Sequence, residues 1–185
     1  AVLSAITERL SWLETHVLQD HARTAFERYV ARFYSSHMES LGWDAAPDES
    51  TDDRMRRAMV ISALGGLARL QDVTEEARRR LERYLEDRSS LDPDLASVVA
   101  DLAARSGDAD MYERFLTRKR ASAQDPEEEQ RFLFGLASFE DEGLIGRTLT
   151  LVLTEDVRPQ DSAHLLARLL ATRPSQLAAW NFVRA

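Results

Sequence analysis

The chain has 185 residues, 44% of them hydrophobic and 30% charged, with 7 Gly, 5 Pro and no Cys. That balance fits one sizeable helical domain; it excludes a disordered tail, an all-β sandwich and any disulfide or thiolate chemistry. A formal net charge of −8 argues against a nucleic-acid module, which needs a basic face to displace counterions from phosphates.

Helical periodicity covers almost the whole chain, and no period-2 strand pattern interrupts it. A first helix is expected over residues 4–18, with Ile6, Leu10, Leu13 and Val17 on one face. A second is expected over 20–41, so that 1–41 forms an N-terminal helix pair. Residues 42–51, with Pro47 and three acidic side chains, read as the longest loop. Thr51 or Asp52 is then expected to cap a helix running towards Leu70. Gly65-Gly66 inside it marks close packing by a neighbour. Thr74 is expected to open the next helix, ending near Asp87. Its arginines Arg78, Arg79, Arg80 and Arg83 interleave with Glu75, Glu76, Glu82 and Glu86, as on a salt-laced exposed face.

From there the pattern repeats. Pro93, Pro126 and Pro159 are spaced 33 residues apart, each where a helix should start. Proline suits the first helical position because its missing N–H would be unpaired there. Asp108, Asp141 and Pro174 keep the same spacing and are expected to open the second helix of each pair. Apolar positions follow the register, as in Val99, Phe132 and Leu165, or Leu116, Leu149 and Phe182. Gly107 reads as a left-handed helix terminus. Phe132, Phe134 and Phe139 read as one helix apolar on both faces. Repeats of this length with a helix-turn-helix in each imply an all-α, irregular HEAT-like solenoid, with four helix pairs over 52–185 in a single domain. Neither ankyrin nor tetratricopeptide signatures are present.

Chemistry-bearing motifs are sparse. His16, His21, His37 and His164 are the only histidines. A zinc hydrolase places two of them four apart on a helix. His16 and His21 are five apart, about 140° from one another on a helix. No nucleophile elbow or phosphate-cradling glycine loop occurs. Acidic pairs such as Asp52-Asp53 and Asp141-Glu142 lie at helix starts, where carboxylates complement the helix dipole. The sequence therefore offers no catalytic and no metal-ligating residue. No apolar run reaches the roughly 18–20 residues of a membrane span. No signal-peptide pattern is visible, and the chain enters directly into a helical pattern, as an excised piece would; the cytoplasm is the expected compartment.

An ordered series of short motifs carries a family resemblance. Leu41-Gly42-Trp43 precedes the acidic loop and Asp53-Arg54-x-x-Arg57 follows it. Arg83-Tyr84-Leu85, Leu91-Asp92-Pro93 and Gly107-Asp108 come next, then Arg131-Phe132-Leu133 and Arg147-Thr148-Leu149. Val157-Arg158-x-Gln160-Asp161 and Ala179-Trp180 close the series. Over essentially its whole length the chain resembles the C-terminal helical domain of the aminopeptidase N and puromycin-sensitive aminopeptidase family. The resemblance implies a parent enzyme that removes N-terminal residues from peptides with one zinc ion held in a separate upstream domain. It implies that this domain walls a chamber over that active site, with the catalytic domain of the same chain and peptide substrates as partners, and no nucleic acid or membrane. It also implies that the family runs on a little beyond Ala179-Trp180. Trp43, Arg57, Arg147, Gln160, Asp161 and Trp180 are expected to be structural. Arg158 is expected to stabilise a helix start, with contact to a peptide carboxylate as the alternative. The competing reading is a free-standing solenoid scaffold that binds a protein or peptide in its groove.

Overall fold

A computed structural model describes residues 2–184, and among these it contains ten α-helices and no strand. The chain divides into two compact units, one ending at Leu102 and the other beginning at Ala103, within the last turns of one helix.

The first unit holds α1 (Val2–His16), α2 (Arg23–Leu41), α3 (Thr51–Ser62), α4 (Gln71–Glu86) and most of α5 (Pro93–Arg105). A 3-10 turn, Asp20–Ala22, occupies the expected beginning of the second helix. Ser50, not Thr51 or Asp52, caps α3: its hydroxyl accepts from the Asp53 N–H (3.2 Å) and donates to the Asp53 carboxylate (2.8 Å). α4 starts three residues before Thr74, whose hydroxyl instead bonds back to the Leu70 carbonyl (3.1 Å). Between α3 and α4 the chain widens into a π-helical turn, Ala63–Leu67. The close packing expected at Gly65-Gly66 is present at Gly65. A Cβ there would lie 2.7 Å from a Leu102 methyl and 3.2 Å from Val73.

The second unit holds the end of α5, then α6 (Ala109–Ala121), α7 (Pro126–Gly135), α8 (Glu142–Leu151), α9 (Pro159–Leu170) and α10 (Arg173–Arg184). Helices start at Pro93, Pro126 and Pro159, as the spacing predicts. Asp108, Asp125 and Asp141 each accept a backbone N–H three residues on, at 3.0–3.2 Å. The register breaks once. α10 begins at Arg173, so Pro174 is its second residue and Thr172 takes the place that Asp108 and Asp141 hold in the earlier pairs. The span from the proline that opens the first helix to the residue before the second is thus two residues shorter in the last pair.

Two glycine and aromatic expectations are corrected here. Gly107 does not have a positive φ; among described residues only Gly42 (φ 60°) and Arg69 (φ 53°) do. Glycine is required at 107 by space, because a Cβ would sit 2.6 Å from the Phe139 ring. Phe139 is not on the helix of Phe132 and Phe134. α7 stops at Gly135, a 3-10 turn (Leu136–Ser138) follows, and the Phe139 ring turns inward against Tyr112 (5.2 Å) and Phe115 (5.4 Å).

Gly65→Ala tests the tightest of these contacts. Leu102 is buried and has little room to yield, so the substitution is expected to cost about 1–3 kcal/mol in chemical denaturation.

Candidate functional site

The side chains singled out by sequence fall into separate clusters. In the first unit Arg57 is the largest fully buried side chain, 2% exposed. Its guanidinium pairs in fork geometry with Glu49, one N–H···O bond measuring 2.6 Å. Nε donates to the carbonyls of Leu41 and Gly42 (both 3.2 Å), and Nη2 to Leu41 (2.9 Å). Gly42 ends α2 at φ 60°, a value that favours glycine, and thereby turns its carbonyl towards Arg57. Trp43 packs under Arg80, whose guanidinium carbon is 4.9 Å from the ring centroid. Arg80 also forks onto Asp44 (2.6 and 3.0 Å) and bonds Glu76 (2.7 Å). The acidic loop is thus fastened by two arginines, from α3 and α4. Arg57 holds the Glu49 carboxyl below its usual range, and Arg80 does the same to Asp44.

In the second unit, Arg158 Nε bonds the buried Asp161 carboxylate (2.7 Å), and its Nη2 lies 3.7 Å from Glu129. Gln160 is exposed and contributes its main-chain carbonyl to His164 Nδ1 (2.9 Å). Arg147 stacks on the Tyr112 ring (4.5 Å) and pairs with Glu113 (2.5 Å). Tyr112 itself meets Thr148 (3.0 Å), and burial raises its pKa above the ordinary tyrosine value. Arg147 and Tyr112 line an open groove of about 490 Å³ between α6 and α8, with Arg120, Thr150 and the exposed glycines Gly143 and Gly146. Trp180 is 52% exposed on α10.

A buried charged cluster joins α6 to α7 and was not singled out by the sequence reading. Glu128 binds Arg118 (3.1 Å) and Arg131, while Arg131 also reaches Glu127 (2.7 Å). Lys119, the only lysine, donates to the Asp156 carbonyl and lies 3.7 Å from Glu129. The legible signal was the three consecutive glutamates in the first turn of α7, with Arg131 three and four residues beyond two of them.

The residues present do not fit a zinc centre, which needs about three converging protein ligands. His16 rests on Trp12 (5.4 Å), His37 on Phe33 (6.2 Å), and His164 on Phe134 (6.3 Å). Among the described residues no three His, Cys, Asp or Glu side chains group so as to hold a metal. No helix among them is long and apolar enough to cross a membrane.

Comparison with known families finds a match over residues 1–185 to the ERAP1-like C-terminal domain. The chain belongs to this family. The domain is 34% identical over 132 residues to aminopeptidase M1 of Arabidopsis thaliana, covering 69% of the chain and 15% of that relative. It is 32% identical over 112 residues to a probable aminopeptidase 2 of Sulfurisphaera tokodaii, covering 60% of the chain and 14% of the relative. Aminopeptidase M1-A of Oryza sativa subsp. japonica matches 85% of the chain at 28% identity, and 18% of its own length is covered. The domain therefore spans less than a fifth of these relatives, and is similar to part of much longer aminopeptidases.

The Arg57–Glu49 pair yields a prediction of stability and its pH dependence. Arg57→Ala leaves a carboxylate and two carbonyls without their partner and is expected to lower stability by about 3 kcal/mol. Because the folded-state pKa of Glu49 is depressed, its contribution is full above the ordinary carboxylate value and is lost as pH falls through the lower folded value. Acid titration of Glu49→Gln should accordingly show a shallower loss of stability below about pH 4.3 than the parent sequence. Identical acid limbs for the two proteins would show that the pair carries no linkage.

Proposed function

We propose that this is the non-catalytic C-terminal domain of a zinc-dependent aminopeptidase, walling the peptide chamber over an active site carried by another part of the same polypeptide. The match to an aminopeptidase C-terminal domain along the full chain carries this reading. The histidines support it, since each described ring contact engages them with aromatic neighbours and none assembles a ligand set. In such an enzyme the zinc ion would polarise the scissile carbonyl and activate water. The residues here would bind and confine the peptide, not react with it. The groove beside Arg147 offers an apolar wall with a guanidinium edge for that purpose. The parent enzyme is expected in the cytoplasm.

A free-standing scaffold is the competing reading, and the coding region preceding Ala1 discriminates between them. A His-Glu-x-x-His segment followed by a further glutamate ligand, a few hundred residues upstream, is the expected finding. In solution, residues 1–185 should fold yet carry no stoichiometric zinc by elemental analysis and release no amino acid from an aminoacyl anilide. Zinc at one equivalent with chelator-sensitive turnover would overturn the reading.

Arg158 is assigned to stability within this scheme. Its guanidinium is committed to Asp161 and faces Glu129, and the pair closes the first turn of α9. Arg158→Ala in the full enzyme should lower Tm and leave KM unchanged for short and long peptides alike. A KM raised for long peptides alone would reassign Arg158 to carboxylate binding.

A further inference from the structure

Gly65, Gly107 and Gly135 are each fixed by a neighbour, since a Cβ there would lie 2.6–2.7 Å from a buried side chain distant in sequence. Gly143 and Gly146 answer to no such neighbour. They lie one turn apart on the exposed face of α8, and neither has a positive φ. A Cβ at Gly146 would meet nothing within 4 Å, and one at Gly143 only the Asp141 carboxylate at 3.1 Å. Glycine weakens a helix interior relative to alanine, and no contact within the chain requires it at either place. Both line the groove between α6 and α8, and Thr150, whose hydroxyl bonds the Gly146 carbonyl (3.0 Å), continues the same floor. That floor is main chain and one short side chain, so another backbone can come close to α8.

Arg120 and Arg147 are the only charged side chains that line this groove, and they are 56% and 44% exposed. Each guanidinium bonds its partner, Asp156 or Glu113, through Nη2 alone. Among the described residues their Nε and Nη1 groups meet no acceptor, so donors remain for a further carboxylate. Arg147 stacks on the Tyr112 ring, and Arg120 follows Tyr112 by eight residues on α6, about 12 Å along the axis. An extended chain rises about 3.3 Å per residue and turns alternate side chains to one face. Two of its side chains four residues apart therefore stand roughly 13 Å apart on the same side.

We infer that the groove receives an extended peptide whose acidic side chains, four residues apart, meet Arg147 and Arg120 while its backbone lies over Gly143 and Gly146. This rests on the proposed function and deepens it: the peptides favoured are those with acidic side chains beyond the N-terminal residue. A terminal carboxylate fits less well, because it supplies one charge to a groove that presents two arginines.

The probe is a peptide with a neutral fluorophore and two glutamates four residues apart, acetylated at its N-terminus and amidated at its C-terminus; its twin carries glutamines instead. Acetylation keeps both from being trimmed, and amidation removes the terminal carboxylate. In anisotropy titrations of the full natural polypeptide the glutamate probe should bind at least about tenfold more tightly than its twin, as two added exposed ion pairs imply. Arg147→Gln and Arg120→Gln should each remove most of that difference. Gly146→Leu sets a side chain on open helix surface, so circular dichroism should show an intact fold while the glutamate probe loses its tight binding. Equal affinities for the two probes would overturn the inference. So would a difference that survives both arginine substitutions, or one that survives Gly146→Leu, since either moves the site off the groove. A glutamine twin with a free C-terminal carboxylate that binds as tightly as the glutamate probe would assign the arginines to chain ends and overturn it as well. Turnover of an aminoacyl anilide by the unmodified polypeptide reports separately on the proposed function.

Discussion

Phe115 stands where the second unit closes. Its ring meets Phe132 edge-on at 5.0 Å and Phe139 at 5.4 Å, and a Cβ on Gly135 would come within 2.7 Å of it. Each of these helices is apolar along one stripe only, so none is stable until a neighbour covers that stripe. Three requirements follow from this one packing point. α7 must end at a glycine, the chain must turn through a 3-10 segment to bring Phe139 back, and Gly107 must stay small beneath the Phe139 ring.

Arginine does the polar work that surrounds this packing. With 24 basic residues and a single lysine, the chain relies on planar forks that bind carboxylates through two N–H groups at once. Arg57 and Arg80 turn the acidic loop into a fixed connection between α2 and α3. Arg131 and Arg118 neutralise Glu128, which is buried at the start of α7. Such pairs lend little net stability over apolar substitutes, yet a lost partner would leave a buried charge exposed to no compensation. They hold loops and helix starts in place, which is what a repeat needs if successive pairs are to stack in register.

This arrangement is suited to confinement. Many of the arginines are paired with carboxylates, His16, His37 and His164 rest on aromatic rings, and the surface between α6 and α8 is an open groove. In the proposed role such a domain contributes shape and a peptide-facing wall.

Helix existence, the proline-led starts at 93, 126 and 159, the aspartate caps and the family membership were legible in the residues, because proline geometry, side-chain capping and 3.6-residue periodicity are local. Arg57, Asp161 and the motif that carries them were visible as a pattern, without a partner for either. What only the tertiary structure decided were the features set by residues distant in sequence. Gly107 proved to answer to the Phe139 ring and not to a left-handed turn. The span from the start of α9 to the residue before α10 came out two residues shorter than in the earlier pairs, so that Trp180 and not Phe182 is the counterpart of Leu116 and Leu149. Local rules fix which residues can form a helix or cap it, but which glycine, ring or fork is needed at a given place depends on the side chain that another helix brings there.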